Sequence, residues 1–180
     1  MEKDEFIKTI GIYRIGPSNS VIQSLQISVD EGNIGVLENV KDPHVLAGLL
    51  KLFLRTLKEP LIPWNIVEKL YEAAMDQKFM EMKNLLIPIP QSHKATLTSL
   101  LKHLHKVNEF AEKNLMEYSN LATIFGPTLM WAPTPGTNAG EISIVLTLWE
   151  QQQEIVKQLL HGFDEIFPIP NSECNTVSET

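Results

Sequence analysis

Residues 42–57, Asp-Pro-His-Val-Leu-Ala-Gly-Leu-Leu-Lys-Leu-Phe-Leu-Arg-Thr-Leu, are the stretch on which the fold turns. Asp42 is a good N-cap, and Pro43 follows at the first helical position, where its missing N–H costs nothing, so a helix is expected to open here and run to about Leu57. At 100° per residue, Val45, Leu46, Leu49, Leu50, Leu52, Phe53, Leu54 and Leu57 form a broad apolar face. His44, Gly48, Lys51, Arg55 and Lys58 gather in a stripe roughly 80° wide on the other side. The first face predicts burial against other helices. The second predicts an exposed basic stripe with a glycine at its centre, where another surface can come close.

Working outward, the same period recurs and strand-like alternation is almost absent. A helix is expected from Ser18 or Asn19 to about Asp30, with Val21, Ile22, Leu25 and Val29 on one face. Prolines 60, 63, 88, 90, 127, 133 and 135 separate or bend helical blocks near 64–77, 79–87, 92–113 and 115–130. Leu97, Leu100, Leu101, Leu104, Phe110 and Ala111 form a core-facing stripe in the third of these. Thr134 to Gly140 is expected to be a loop before a last helix from about 141 to 162. The expected class is all-α, a single helical bundle over 1–168 followed by a flexible polar tail at 169–180.

Leu, Ile, Val and Phe supply 57 of the 180 residues, ample for a hydrophobic core. A net charge of −7 opposes a phosphate-neutralising nucleic-acid binder. No apolar run reaches the length of a membrane span, and the N-terminus lacks the basic start and apolar block of a secretory signal. Cys174 is the one cysteine, which excludes an intrachain disulfide and a Cys-based zinc site and favours a reducing compartment. His103 and His105, two apart on a helix, point in separate directions, so metal binding is not expected. Gly11 and Gly16 are spaced as in a Walker loop, but no Gly-Lys-Ser/Thr follows. No nucleophile can be paired with an oriented base.

The chain has thirteen lysines but only two arginines, Arg14 and Arg55. Arginine's planar five-donor fork suits phosphate or carboxylate recognition in a way lysine cannot imitate. Arg14 lies in Gly11-Ile-Tyr-Arg-Ile-Gly-Pro-Ser18, where glycines and a proline predict a shaped, exposed loop.

Three blocks, Gly-Ile-Tyr-Arg at 11–14, the stretch from Asp42 to Leu61, and Asn114-Leu-Met with Asn120-Leu-Ala-Thr-Ile-Phe-Gly-Pro-Thr-Leu at 120–129, resemble in order and spacing the signature blocks of the RhoGAP domain. The resemblance covers about 155 residues. It implies a helical domain that binds a GTP-loaded Rho-family small GTPase (Rho, Rac or Cdc42-like) and supplies an arginine finger in trans, with Arg14 as the finger. Lys51 and Arg55 would face the GTPase and hold the finger loop. Asn120 would either contact the GTPase or satisfy a neighbouring backbone group. The domain would be a GTPase activator and not an enzyme in its own right, with no cofactor of its own, since GTP and Mg²⁺ belong to the partner. It would be monomeric and cytoplasmic, without nucleic-acid binding or membrane insertion, and recruited to membranes through a partner or flanking domains.

The sequence departs from the family pattern in three places. About ten residues precede the finger loop, where members have a helical segment, so apolar surface is expected to be exposed if that segment packs on the core. Gly16-Pro17 replaces a small residue followed by glycine, and a proline common early in the last helix has no counterpart in Trp149-Glu-Gln-Gln-Gln153. These departures leave open an alternative, a GAP-like module that docks a GTPase or another signalling partner without accelerating hydrolysis.

Overall fold

The computed structural model describes residues 4–131 and 142–168, and every regular element among them is helical. The helices are α1 (Asp4–Ile7), α2 (Asn19–Asp30), α3 (Pro43–Thr56), α4 (Val67–Met75), α5 (Phe79–Leu85), α6 (Gln91–Asn108), α7 (Ala111–Asn114), α8 (Tyr118–Leu129), α9 (Ile142–His161) and α10 (Phe163–Ile166). Short 3₁₀ turns at Ile34–Asn39 and Trp64–Ile66 connect α2 to α3 and lead into α4. None of the described helices is long and apolar enough to cross a membrane. The expected loop at 134–140 and tail at 169–180 lie outside the described residues.

α8 and α9 form the centre of the bundle. Gly126 lets them meet: a Cβ built there would stand 2.9 Å from the Gln152 carbonyl carbon. Leu121, Phe125 and Leu129 of α8 are fully buried, as are Ile155, Val156, Leu159 and Leu160 of α9. α4 contributes Leu70, Ala73 and Ala74, and α6 contributes Leu97, Leu101 and Leu104. Each large apolar side chain withdrawn from water in this way stabilises the fold by roughly 1.5–3 kcal/mol. The segment after α3 is fastened by the Ile62 N–H to the Leu129 carbonyl, 3.1 Å away. Pro127 is accommodated inside α8.

α3 starts as expected: the Asp42 carboxylate accepts from the His44 N–H at 2.9 Å, with Pro43 in the first turn. Its two faces differ from the helical wheel. Phe53 is 54% exposed, while Gly48 is buried. α2 lies across α3 at Gly48, where a Cβ would fall 2.7 Å from Ile22 Cδ1 and 3.1 Å from the Pro17 ring. The surface that approaches this glycine is therefore the chain's own. With Gly48 covered and His44 and Lys51 half-buried, Arg55 and Lys58 are the exposed members of the expected basic stripe.

Other boundaries shifted for local reasons. The block at 92–113 breaks at Glu109 and Phe110 into α6 and α7. The block at 115–130 starts at Tyr118 because Leu115, at φ 60°, adopts a left-handed conformation that ends α7. On α2, Val21 faces solvent, while Ile22 and Leu25 are half-buried. An open apolar groove of about 1150 Å³ runs beside the N-terminal residues, lined by Phe6, Ile12, Leu46, Leu50, Leu54 and Leu100 among others.

Candidate functional site

The loop carrying Arg14 is built on Gly11. Gly11 sits at φ +67°, a region that suits glycine, and its carbonyl accepts from the N–H groups of both Arg14 and Ile15 at 2.9 Å. Its own N–H donates to the Asn114 carbonyl at 2.7 Å, which ties the turn to the bundle. Arg14 is exposed, and its side chain forms no hydrogen bond or ion pair with any other described residue.

Tyr13 points the opposite way. Its ring is buried and meets Phe125 edge-on, centroids 5.0 Å apart, and its hydroxyl lies 2.5 Å from His103 Nε2 on α6. Its backbone is left-handed at φ 70°, a conformation that costs a non-glycine residue roughly 1–2 kcal/mol. Such strain persists where the surroundings over-determine it. Here the ring, the hydroxyl and the backbone carbonyl are all engaged. The carbonyl accepts from the Lys51 ammonium of α3. With Tyr13 held inward, the next side chain along this turn, Arg14, is directed outward.

Lys51 is thus half-buried, and its ammonium is spent on the loop. Burial, and secondarily the nearby Arg55 guanidinium, hold its pKa below the ordinary lysine value. Arg55, one turn further along α3, donates from Nε and Nη2 to Thr128 Oγ1 at 3.3 and 3.2 Å, and that hydroxyl donates to the Ile124 carbonyl at 2.9 Å. The contact fixes one edge of the guanidinium against α8 while the side chain remains exposed.

Asn114, which belongs to a signature block but had no role assigned from the sequence, is fully buried. Its amide donates to the carbonyls of Ile7 at 2.8 Å and Val107 at 2.7 Å, and its side-chain oxygen accepts from the Met116 N–H at 2.8 Å. One side chain thereby joins the N-terminal segment, α6 and the turn before α8, next to the carbonyl that holds Gly11. Asn120, half-buried on α8, donates to the Leu115 carbonyl at 3.1 Å, so its amide does satisfy a neighbouring backbone group. Arg14 and Lys51 are brought together through Tyr13. Arg55 and Asn120 are linked to α8 and to the α7–α8 turn.

His103 and Thr128 were also missed. Their roles come from contacts 90 and 73 positions away in sequence. His103 and His105 do point apart, since each bonds a different tyrosine, Tyr13 and Tyr118 respectively. Among the described residues no group of three His, Cys, Asp or Glu could hold a metal ion. Gln151, at the place where a family proline was missed, is half-buried on α9. Its neighbour Gln152 is buried and donates to the Met130 carbonyl at 2.9 Å.

The bundle is all-helical among the described residues and displays Arg14 on a turn anchored from behind. Residues 1–134 match the RhoGAP domain family, and the chain belongs to it. The chain is 38% identical over 128 residues to the WW domain-containing protein tag-325 of Caenorhabditis elegans, covering 68% of this chain and 15% of that protein. With the Rho GTPase-activating protein 44 of Homo sapiens it is 31% identical over 162 residues, 88% of this chain and 19% of that one. It thus spans less than a fifth of the length of either relative. Among solved structures, human Rho GTPase activating protein 15 superposes with a TM-score of 0.79 at 31% identity, covering 89% of this chain and 76% of that chain.

Proposed function

We propose that this chain is a GTPase-activating domain that binds a GTP-loaded Rho-family small GTPase in the cytoplasm and inserts Arg14 into its nucleotide site. The observation that carries the reading is the pairing of an exposed Arg14 with a backbone pinned on the protein side by Lys51, Asn114 and the Tyr13 ring. A guanidinium is always charged and offers several donors in one plane, so it can bridge β- and γ-phosphate oxygens as negative charge redistributes in the transition state. Such a contribution in trans is worth roughly 10³–10⁵ in rate.

A pre-ordered loop matters because a finger that had to be fixed at the moment of reaction would lose part of this gain to conformational entropy. Arg55 and Asn120 belong to the partner-facing surface in this reading, and Lys51 serves mainly to hold the loop. GTP and Mg²⁺ are the partner's, and the chain contributes a residue to the GTPase's reaction without one of its own.

The test is single-turnover GTP hydrolysis by a panel of Rho, Rac and Cdc42-like GTPases with and without the chain. Acceleration of at least one supports the reading. Unaltered hydrolysis together with measurable binding to the GTP-loaded form would indicate a docking module instead.

A further inference from the structure

The peptide unit between Tyr13 and Arg14 is held at both ends, its carbonyl by Lys51 and its N–H by the Gly11 carbonyl. Both contacts hold the backbone alone, and the buried Tyr13 side chain is a further tether of the same residue to the core. Among the contacts of that tether are the ring's seat on Phe125 and the bond of its hydroxyl to His103 Nε2 at 2.5 Å. The two rings are also arranged edge to face, centroids 5.9 Å apart.

His103 is well suited to serve as a fixed point. It lies on α6, whose Leu97, Leu100, Leu101, Leu104 and Val107 are all buried, so the imidazole is carried by a helix that cannot shift without disturbing the core. The phenol and imidazole share one proton between them in this bond, with either ring able to supply it according to the tautomer.

We infer that His103 is a positioning residue for the Arg14 finger, acting through the Tyr13 hydroxyl. The inference rests on Arg14 being the finger, although the loop geometry it concerns can be measured without a GTPase. If His103 fixes Tyr13, removing either partner of the bond frees the same motion, so the two losses do not add.

The test uses Tyr13→Phe, His103→Leu, the double variant, and His103→Gln, whose amide can reach the place of Nε2. Two quantities are read: amide hydrogen exchange at Arg14 and Ile15, and single-turnover hydrolysis over a range of chain concentrations. Each single variant is expected to speed exchange at both amides and to lower the saturating rate about three- to tenfold, the span of one net hydrogen bond. The half-saturating concentration should change little, the double variant should be no worse than the poorer single one, and His103→Gln should recover most of the loss.

Additive effects, unchanged exchange in His103→Leu, or failure of His103→Gln to recover anything would overturn the inference. If the wild-type chain accelerates no GTPase, the proposed function fails while the exchange measurements still decide whether His103 orders the loop. Circular dichroism of each variant separates these outcomes from simple unfolding.

Discussion

The ammonium of Lys51 donates to the carbonyl of Tyr13, the residue before Arg14, across 38 positions of sequence. A basic residue that the helical wheel puts on the surface thus spends its charge on a backbone oxygen of the chain itself. Losing it should loosen the loop more than it weakens encounter with a partner. Lys51→Met, which keeps the apolar stem, is expected to lower the saturating rate of GTPase activation about tenfold while shifting the half-saturating concentration far less. An unchanged saturating rate with a large loss of affinity would make Lys51 a contact residue.

The same lysine has an ionisation that can be followed directly. Burial is the larger cause of its lowered pKa and the Arg55 charge the smaller. Arg55→Gln should therefore raise the Lys51 pKa without returning it to the ordinary lysine range, as read by NMR titration of the carbon next to Nζ. A pKa that does not move would show that the two cations do not sense each other.

Asn114 should matter for stability before it matters for activity. Asn114→Leu keeps the approximate volume but strands the Ile7 carbonyl and the Met116 N–H in the interior, each costing about 1–3 kcal/mol when left unpaired, while the Val107 carbonyl keeps the Phe110 N–H. Urea unfolding should show a loss of at least about 2 kcal/mol, a large share of a normal domain's stability. A loss under 0.5 kcal/mol would mean that water or relaxation restores the bonds.

Gly126 tests the central helix pair. Its missing Cβ is replaced by the backbone of Gln152, which cannot swing aside as a side chain could. Gly126→Ala should destabilise the domain by about 1–3 kcal/mol despite the better helix propensity of alanine. Equal or greater stability would show that α8 and α9 can part without penalty.

How much of this was legible in the sequence depended on whether the cause was local. The cap at Asp42 and Pro43, the α6 stripe from Leu97 to Leu104 and the all-helical class arise from neighbours in sequence, and they are where the pattern put them. Gly48 shows the limit of that logic. Periodicity separates the faces of α3 but cannot tell which polar position another helix will cover, and Pro17 with Ile22 decided it. Asn114 stood in a signature block without a legible role because its three side-chain bonds go to backbone groups that only the fold assembles. Composition and loop chemistry drew notice to Arg14 and the Gly-Ile-Tyr-Arg motif gave it a role, whereas the bond between Tyr13 and His103 could not be read, since it joins two ends of a long sequence separation.

The most direct test of the central claim is single-turnover GTP hydrolysis by a responsive Rho-family GTPase with the wild-type chain, Arg14→Ala and Arg14→Lys. If Arg14 acts in the transition state, both substitutions should cut the acceleration by roughly 10²-fold or more, lysine lacking the planar fork, while affinity for the GTP-loaded GTPase stays within a few-fold. Acceleration retained by Arg14→Ala, or lost only in proportion to a loss of binding, would contradict the finger role.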